Sequence, residues 1–236
     1  MDKMQGAVDS HEFVTAILPL YRDTQVKIRV VPSNKEYTIS KAIICAESPV
    51  FSAMFEGNFQ ESHTLTTELE EMKDVVSVRS VEALIMWLYV GTVRFDMTDN
   101  TEECISAALE LARLADMYKI VKMETKVAQY IKGKLLESPV FYYKRVFDHN
   151  TRWINSEHIT SINALPLGHP ARKVLASATV RGILSDSLDE VSKAIEANPF
   201  FGADILQELR PALKELKDSR GKRIVDPLTG EYCYLK

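Results

Sequence analysis

Residues that bring disulfide, metal or redox chemistry are scarce in this sequence. Three cysteines occur, Cys45, Cys104 and Cys233; they lie far apart, are odd in number and form no Cys-x-x-Cys pair. None of the five histidines stands at ligand spacing from a cysteine. The pattern predicts reduced thiols in an intracellular protein, cytoplasmic or nuclear, without a metal or another cofactor.

Long apolar runs and an excess of one charge are also missing. No stretch reaches the roughly 18 unbroken apolar residues of a membrane-spanning helix, and residues 1–5 do not resemble the start of a secretory signal. The formal net charge is −4, so no overall field favours nucleic acid or an anionic membrane. We therefore expect protein partners, with no membrane association and no direct nucleic-acid binding.

Motifs for catalysis are absent as well. The chain has no glycine-rich phosphate loop, and no serine, cysteine or threonine stands in a nucleophile elbow. Asp148-His149 and Glu157-His158 each place an acid beside a base, but adjacent residues on a helix do not face each other. We interpret them as surface polar residues and expect neither a catalytic residue nor enzymatic activity.

What the sequence does have is an ordinary globular composition with clear periodicity. Of its 236 residues, 46% are hydrophobic and 26% are charged, which suits one large domain or two small ones. Residues 9–22 predict a short amphipathic helix that carries Phe13 and Ile17 at helical spacing. This helix is either an arm for dimerisation or a helix folded onto its own domain.

A β-hairpin and two capped helices are predicted next. Val26, Ile28 and Val30 alternate with polar residues, and a turn at 32–35 leads into a second strand over 37–39. Each of the two short apolar helices that follow has a serine in the N-cap position. These caps are Ser40, before Ile43-Ile44, and Ser48, before Pro49, whose missing N–H costs nothing in the first turn.

The sequence up to residue 135 alternates further between strand and helix signals. A third strand is expected within 64–72 and a long buried helix within 81–91. Two more helices are expected over about 101–117 and 120–135. Together these elements predict one α+β unit, a small sheet with a helical shell.

The stretch from about 20 to 135 resembles the BTB/POZ domain, an α+β module for protein–protein interaction. Its matching motifs are the hairpin, the Ile43-Ile44 helix, Ser48-Pro49-x-Phe51, Gly57-x-Phe59-x-Glu61-Ser62 and Trp87-Leu88-Tyr89-x-Gly91. Residues 150–215 also look like the helical tail of fungal BTB proteins, through the runs 168–172 and 196–201. The resemblance implies an arm at 1–19, a BTB domain at 20–136, an all-α region at 137–217 and a flexible tail at 218–236.

The resemblance also implies two interaction surfaces. Homodimerisation would involve Phe13, Ile17, Lys41 and Ile44. Phe59-Gln60-Glu61 matches the apolar-x-Glu motif with which adaptor BTB domains bind cullin-3, and Met54 and Phe55 are its neighbours. A partly exposed Phe59 would supply an apolar anchor and Glu61 an orienting charge. The alternative is that Phe59 packs inward and Glu61 merely faces water.

Two departures from the family pattern narrow the functions that the resemblance implies for this chain. Ser40 stands where the family usually has histidine, and Gln25 stands where an aspartate normally opens the first strand. Lys41 remains, but the acid that pairs with it in repressor-type domains is missing, so we do not expect corepressor binding. The leading hypothesis is an adaptor that brings an unidentified client protein to a cullin-3 ubiquitin ligase. The alternatives are an oligomerisation scaffold without a ligase role and a transcriptional regulator.

Past Pro139 the sequence predicts helices and no strand. An aromatic helix is expected over 141–147, and three more near 170–184, 188–197 and 199–216. The last helix carries a stripe of apolar residues, which predicts the side that faces the core. Pro211 should bend or split this helix. This stripe consists of Ile205, Leu209, Leu213 and Leu216. The tail reads as a loop.

Overall fold

The structure, a computed structural model, describes residues 24–95, 100–137, 153–184, 189–218 and 223–234. The expected helix that carries Phe13 and Ile17 and the expected aromatic helix over 141–147 lie outside these residues. By its internal contacts the chain divides into two compact units. The first comprises Met1–Phe95 and Leu114–Met123, and the second comprises Asp96–Arg113 and Glu124–Lys236.

The described elements follow the predicted order closely up to residue 137. In chain order they are β1 (Gln25–Val31), β2 (Lys35–Ser40), α1 (Lys41–Glu47), α2 (Pro49–Glu56), α3 (Gln60–Thr64), β3 (Thr66–Glu70), α4 (Val78–Val90), α5 (Thr101–Met117), α6 (Glu124–Glu137), α7 (Ser156–Asn163), α8 (Pro170–Leu184), α9 (Asp189–Ala197), α10 (Pro199–Asp218), β4 (Arg223–Val225) and β5 (Tyr232–Tyr234).

A three-stranded sheet forms the centre of the first unit. Its strand order is β2-β1-β3, with β1 antiparallel to β2 and parallel to β3. Val26, Ile28 and Val30 are fully buried on one face of β1, because alternate residues of a strand point to the same side. The predicted hairpin and third strand are both confirmed.

The opposite face of the sheet carries exposed ion pairs. Lys27 Nζ lies 2.9 Å from Glu36 Oε1, and Arg29 Nη1 lies 3.0 Å from Glu68 Oε1. The hydrogen bond and charge of Lys27, with a smaller contribution from Arg29, lower the pKa of Glu36. Exposed pairs of this kind contribute little to stability, so this face keeps the sheet solvated rather than holding it together.

The helical shell begins with the two serine caps that the sequence predicts. Ser40 Oγ accepts a hydrogen bond from the Ile43 amide at 3.4 Å, and Ser48 Oγ accepts one from the Phe51 amide at 3.1 Å. Pro49 occupies the first turn of α2. The long helix α4 ends at Gly91, whose φ of +72° favours glycine, as the sequence predicts.

The second unit is built around α8. Helices α6 and α10 pack against this helix, and its Leu175, Ala176 and Val180 are fully buried. Small and apolar residues all round a helix are typical of a buried position. The helices expected near 170–184 and 199–216 are confirmed, whereas α7 was not expected.

A buried arginine fastens α7 to its neighbours in this unit. Arg172 is only 2% exposed. Its Nη1 donates to the carbonyls of Ile162 at 3.2 Å and Leu165 at 3.1 Å, which cap the end of α7. Its Nε donates to Asp204 Oδ2 of α10 at 2.7 Å. The run 168–172 therefore connects α7, α8 and α10, because its arginine caps carbonyls at the end of α7 and pairs with a carboxylate of α10.

The expected loop at the C-terminus is wrong, and the expected split of the last helix does not occur. Residues 223–234 form a hairpin of β4 and β5 instead of a loop, and the side chain of Ile224 is fully buried in a cluster with Val180 and Ala212. The three-residue strands are too short to show a periodicity of their own. Helix α10 is not split at Pro211 but continues through it, and it packs against α8 and β4.

Candidate functional site

The surface that the sequence singles out starts from a buried serine. Besides capping α2, Ser48 Oγ donates to the Tyr118 carbonyl at 2.6 Å. The ring of Phe51 stacks on that of Tyr118, with centroids 4.3 Å apart and planes inclined by 2°. Burial raises the pKa of Tyr118. These contacts fix the start of α2 against the segment that follows α5.

A glycine fixes the other end of α2. The Gly57 amide donates to the Ala53 carbonyl at 3.0 Å, and a Cβ added at Gly57 would lie 2.3 Å from that carbonyl oxygen. No larger residue fits this turn without a shift of the backbone. The same Cβ position lies 3.4 Å from Cδ2 of Phe59, so a side chain at position 57 would also contact the Phe59 ring.

Phe59 sits at the N-cap of α3 with its side chain 58% exposed. Its carbonyl accepts hydrogen bonds from the Ser62 amide at 3.1 Å and from the Ser62 hydroxyl at 2.7 Å. Glu61, in the first turn of α3, is partly exposed. The alternative in which Phe59 packs inward is therefore wrong, and an aromatic side chain and a carboxylate stand two residues apart on the surface.

The neighbours proposed for this triplet divide between surface and core. Met54 is partly exposed, but Phe55 is fully buried. The reason is helical phase: Phe55 lies one turn after Phe51 on the inward side of α2, where the two rings are 6.2 Å apart. Phe55 is therefore excluded from the candidate surface, which leaves Met54, Phe59 and Glu61 as its exposed or partly exposed residues.

The residues proposed for dimerisation are also separated by burial. Ile44 is fully buried in the core of the first unit, so it offers no surface to a partner. Lys41 is partly exposed at the start of α1, and its amide donates to the Thr24 carbonyl at 2.8 Å. Phe13 and Ile17 lie outside the described residues.

The unusual Ser40 has a structural partner that the sequence does not reveal. Its amide donates to the hydroxyl of Tyr89 at 2.8 Å, which joins the end of β2 to the last turn of α4. A second tyrosine bond connects the same elements, since Tyr37 donates to Glu82 Oε1 at 2.8 Å. Both pairs are far apart in the chain, and no local pattern could have identified them.

A serine–histidine pair in the second unit has the wrong arrangement for catalysis. His158 Nε2 lies 2.8 Å from Ser106 Oγ, while His158 Nδ1 accepts from the Asn155 amide at 3.3 Å. Nε2 of the neutral ring therefore carries the proton and donates to the serine, so the ring cannot take the serine's proton. Burial lowers the pKa of His158, against the opposing charges of Glu102 and Glu157. The pair instead links α5 to α7.

The described residues contain neither a candidate metal cluster nor a candidate membrane span. No cluster of histidine, cysteine, aspartate or glutamate there could hold a metal ion. No helix in the described ranges is both long and apolar enough to cross a bilayer.

The family assignment rests on this fold and on a match of the sequence to a family model. The model for the BTB/POZ domain matches residues 20–135. This range holds the three-stranded sheet, the two capped helices, the Phe59–Glu61 surface, α4, α5 and most of α6. BTB domains mediate self-association and the binding of partner proteins. Residues 20–135 of this chain are thus a BTB/POZ domain, a protein-interaction module followed here by a helical C-terminal region.

Proposed function

We propose that this protein is a self-associating adaptor that binds cullin-3 through Phe59 and Glu61 and thereby brings a client protein to a ubiquitin ligase. The observation that carries the proposal is the exposure of Phe59, a large aromatic side chain that is 58% exposed. Aromatic anchors that become fully desolvated at the centre of an interface dominate binding energies.

The backbone around Phe59 supports such a role. The Gly57 turn and the two Ser62 hydrogen bonds hold Phe59 in place before a partner arrives. A preorganised anchor loses little conformational freedom on binding, which favours affinity. Glu61 would contribute a charge at the rim of the contact, which acts on orientation and association rate more than on affinity.

The client-binding part of the proposal falls to the helical region. It carries exposed side chains that the core does not need, among them Phe200. The Ser106–His158 pair connects α7 of this region to α5. We assign self-association to the N-terminal part of the chain, through Lys41 and through Phe13 and Ile17, which lie outside the described residues.

The test is titration of the purified full chain with the N-terminal region of cullin-3. Phe59→Ala should weaken binding about 10- to 100-fold, the range expected for losing a buried phenylalanine side chain. Phe200→Ala is the matched control, since Phe200 is 60% exposed but lies in the other unit. It should leave the affinity unchanged.

Three outcomes would count against the adaptor. These are no binding by the wild-type chain at about 10 μM, equal losses for the two phenylalanine variants, and no loss for either. Light scattering of the same samples separates the second candidate. A dimer that does not bind cullin-3 would be a scaffold without a ligase role.

A further inference from the structure

The outer side of α10 carries leucines that the core does not use. Ile205 is buried, and Leu209 and Leu216 pack against the cluster of Val180, Ala212 and Ile224. Leu206 is 62% exposed and Leu213 is 44% exposed. Seven residues make almost two helical turns, so Leu206 and Leu213 lie in line on the same side. Leu213 is thus the one member of the predicted core stripe that faces solvent.

Three cations share that side of the helix. Arg210, Lys214 and Lys217 are exposed and lie within about 100° of helical rotation from the two leucines. Among the described residues, none of the three forms an ion pair. We call this set, Leu206, Arg210, Leu213, Lys214 and Lys217, the basic face of α10.

Three of the four acids of the same helix are engaged with other residues, and the fourth, Asp218, is its last residue. Asp204 pairs with the buried Arg172, Glu208 accepts from the Ser177 hydroxyl, and Glu215 pairs with Arg223. The basic face therefore has three positive charges, with Asp218 next to it at the end of the helix, on a chain whose formal net charge is −4. A local charge opposite in sign to the net charge of the chain favours the binding of an oppositely charged partner.

We infer that the basic face of α10 binds an acidic helical segment of a partner protein, one with apolar side chains in line and glutamates or aspartates beside them. The two leucines supply contacts spaced for a helix laid along α10, and the three cations supply the complementary charges. Pro211 has no N–H, so the Gln207 carbonyl receives no helical hydrogen bond from position 211 and remains available as an acceptor for a partner.

Other occupants fit less well. An amphipathic helix that lies on a membrane needs a broad apolar side, whereas here two leucines alternate with cations. A nucleic acid would use the cations but would leave the leucines without a role. A second copy of this face would bring three positive charges against three, which is repulsive.

The experiment uses the full chain and a fluorescein-labelled helical peptide of about 20 residues, long enough to be helical, with leucines at i, i+3 and i+7 and glutamates on both sides. We expect a rise in anisotropy with a midpoint in the micromolar range. The double variants Leu206→Ser/Leu213→Ser and Arg210→Glu/Lys214→Glu should each weaken binding by about tenfold or more. All four positions are exposed, so the variants should fold.

The controls distinguish this face from general stickiness or charge. Leu167→Ser removes an exposed leucine, and Lys193→Glu reverses an exposed charge, and neither residue belongs to α10. Neither should change the midpoint, and a peptide with lysine in place of glutamate should not bind. The inference fails if the acidic peptide does not bind at about 100 μM or if control and face variants behave alike. It fails equally if the face variants abolish binding to phosphatidylserine vesicles, duplex DNA or a second copy while peptide binding is unaffected.

Discussion

Removal of the Ser48 hydroxyl should destabilise the first unit more than any change at a neighbouring serine. Ser48 Oγ accepts from the Phe51 amide and donates to the Tyr118 carbonyl, and the side chain is fully buried. In Ser48→Ala the Phe51 amide and the Tyr118 carbonyl each lose their hydrogen bond to the hydroxyl. Loss of an N-cap costs about 1 kcal/mol, and a buried carbonyl without its donor costs about 1–3 kcal/mol.

The expected loss for Ser48→Ala is therefore about 2–4 kcal/mol, a large share of the roughly 5–15 kcal/mol by which a domain is usually stable. Urea denaturation followed by tryptophan fluorescence measures it. The chain has two tryptophans, Trp87 in the first unit and Trp153 in the second. A Trp153→Phe background leaves Trp87, which is buried in α4, as the reporter of the first unit.

Ser52→Ala is the matched control, because Ser52 lies one turn further along α2 and its hydroxyl donates only to the exposed Glu56 carboxylate. Its cost should stay within about 0.5 kcal/mol. If Ser48→Ala and Ser52→Ala shift the urea midpoint equally, the hydroxyl of Ser48 does not connect the two segments as described.

The second unit yields two further predictions. Arg172→Met should destabilise this unit by about 3–5 kcal/mol in thermal unfolding, because Asp204 would keep a largely buried charge without its partner and the end of α7 would lose its cap. Lys173→Met is the control at the neighbouring exposed position, and it should cost little stability in the same measurement. The lowered pKa of His158 means that the unfolded chain binds a proton more readily than the folded one, so stability should fall as the pH drops below about 6.5, the ordinary histidine pKa. His158→Gln should remove that part of the pH dependence in urea titrations, and an unchanged slope would show that other groups cause it.

Local signals explain how much of the fold could be predicted. The hairpin of Val26, Ile28 and Val30 and the caps at Ser40 and Ser48 depend on neighbours within a few residues, which a sequence displays directly. Burial of Ile44 and Phe55 was missed for a different reason. Periodicity shows that such residues share a side of a helix, but not which of their neighbours remains on the surface.

Contacts between distant residues account for most of the remaining differences. The side chain of Arg172 reaches carbonyls of the preceding helix and a carboxylate of α10, which no local motif encodes. The hairpin over 223–234 has three-residue strands, and its support comes from the cluster around Ile224. Leu213 follows the spacing of the core stripe yet is exposed, because α8 and β4, which pack against α10, leave it uncovered.

The bond from Ser48 to Tyr118 also has a consequence in time. It spans 70 positions of the chain, so during synthesis α2 emerges from the ribosome long before the carbonyl that completes its start. At about 5–20 residues per second, several seconds pass in which Ser48 and the Phe51 ring lack their partner. A chaperone that binds exposed aromatic residues would find this helix during that interval, and a nascent chain stalled before residue 118 should be markedly more sensitive to protease around α2 than one released with Tyr118 in place.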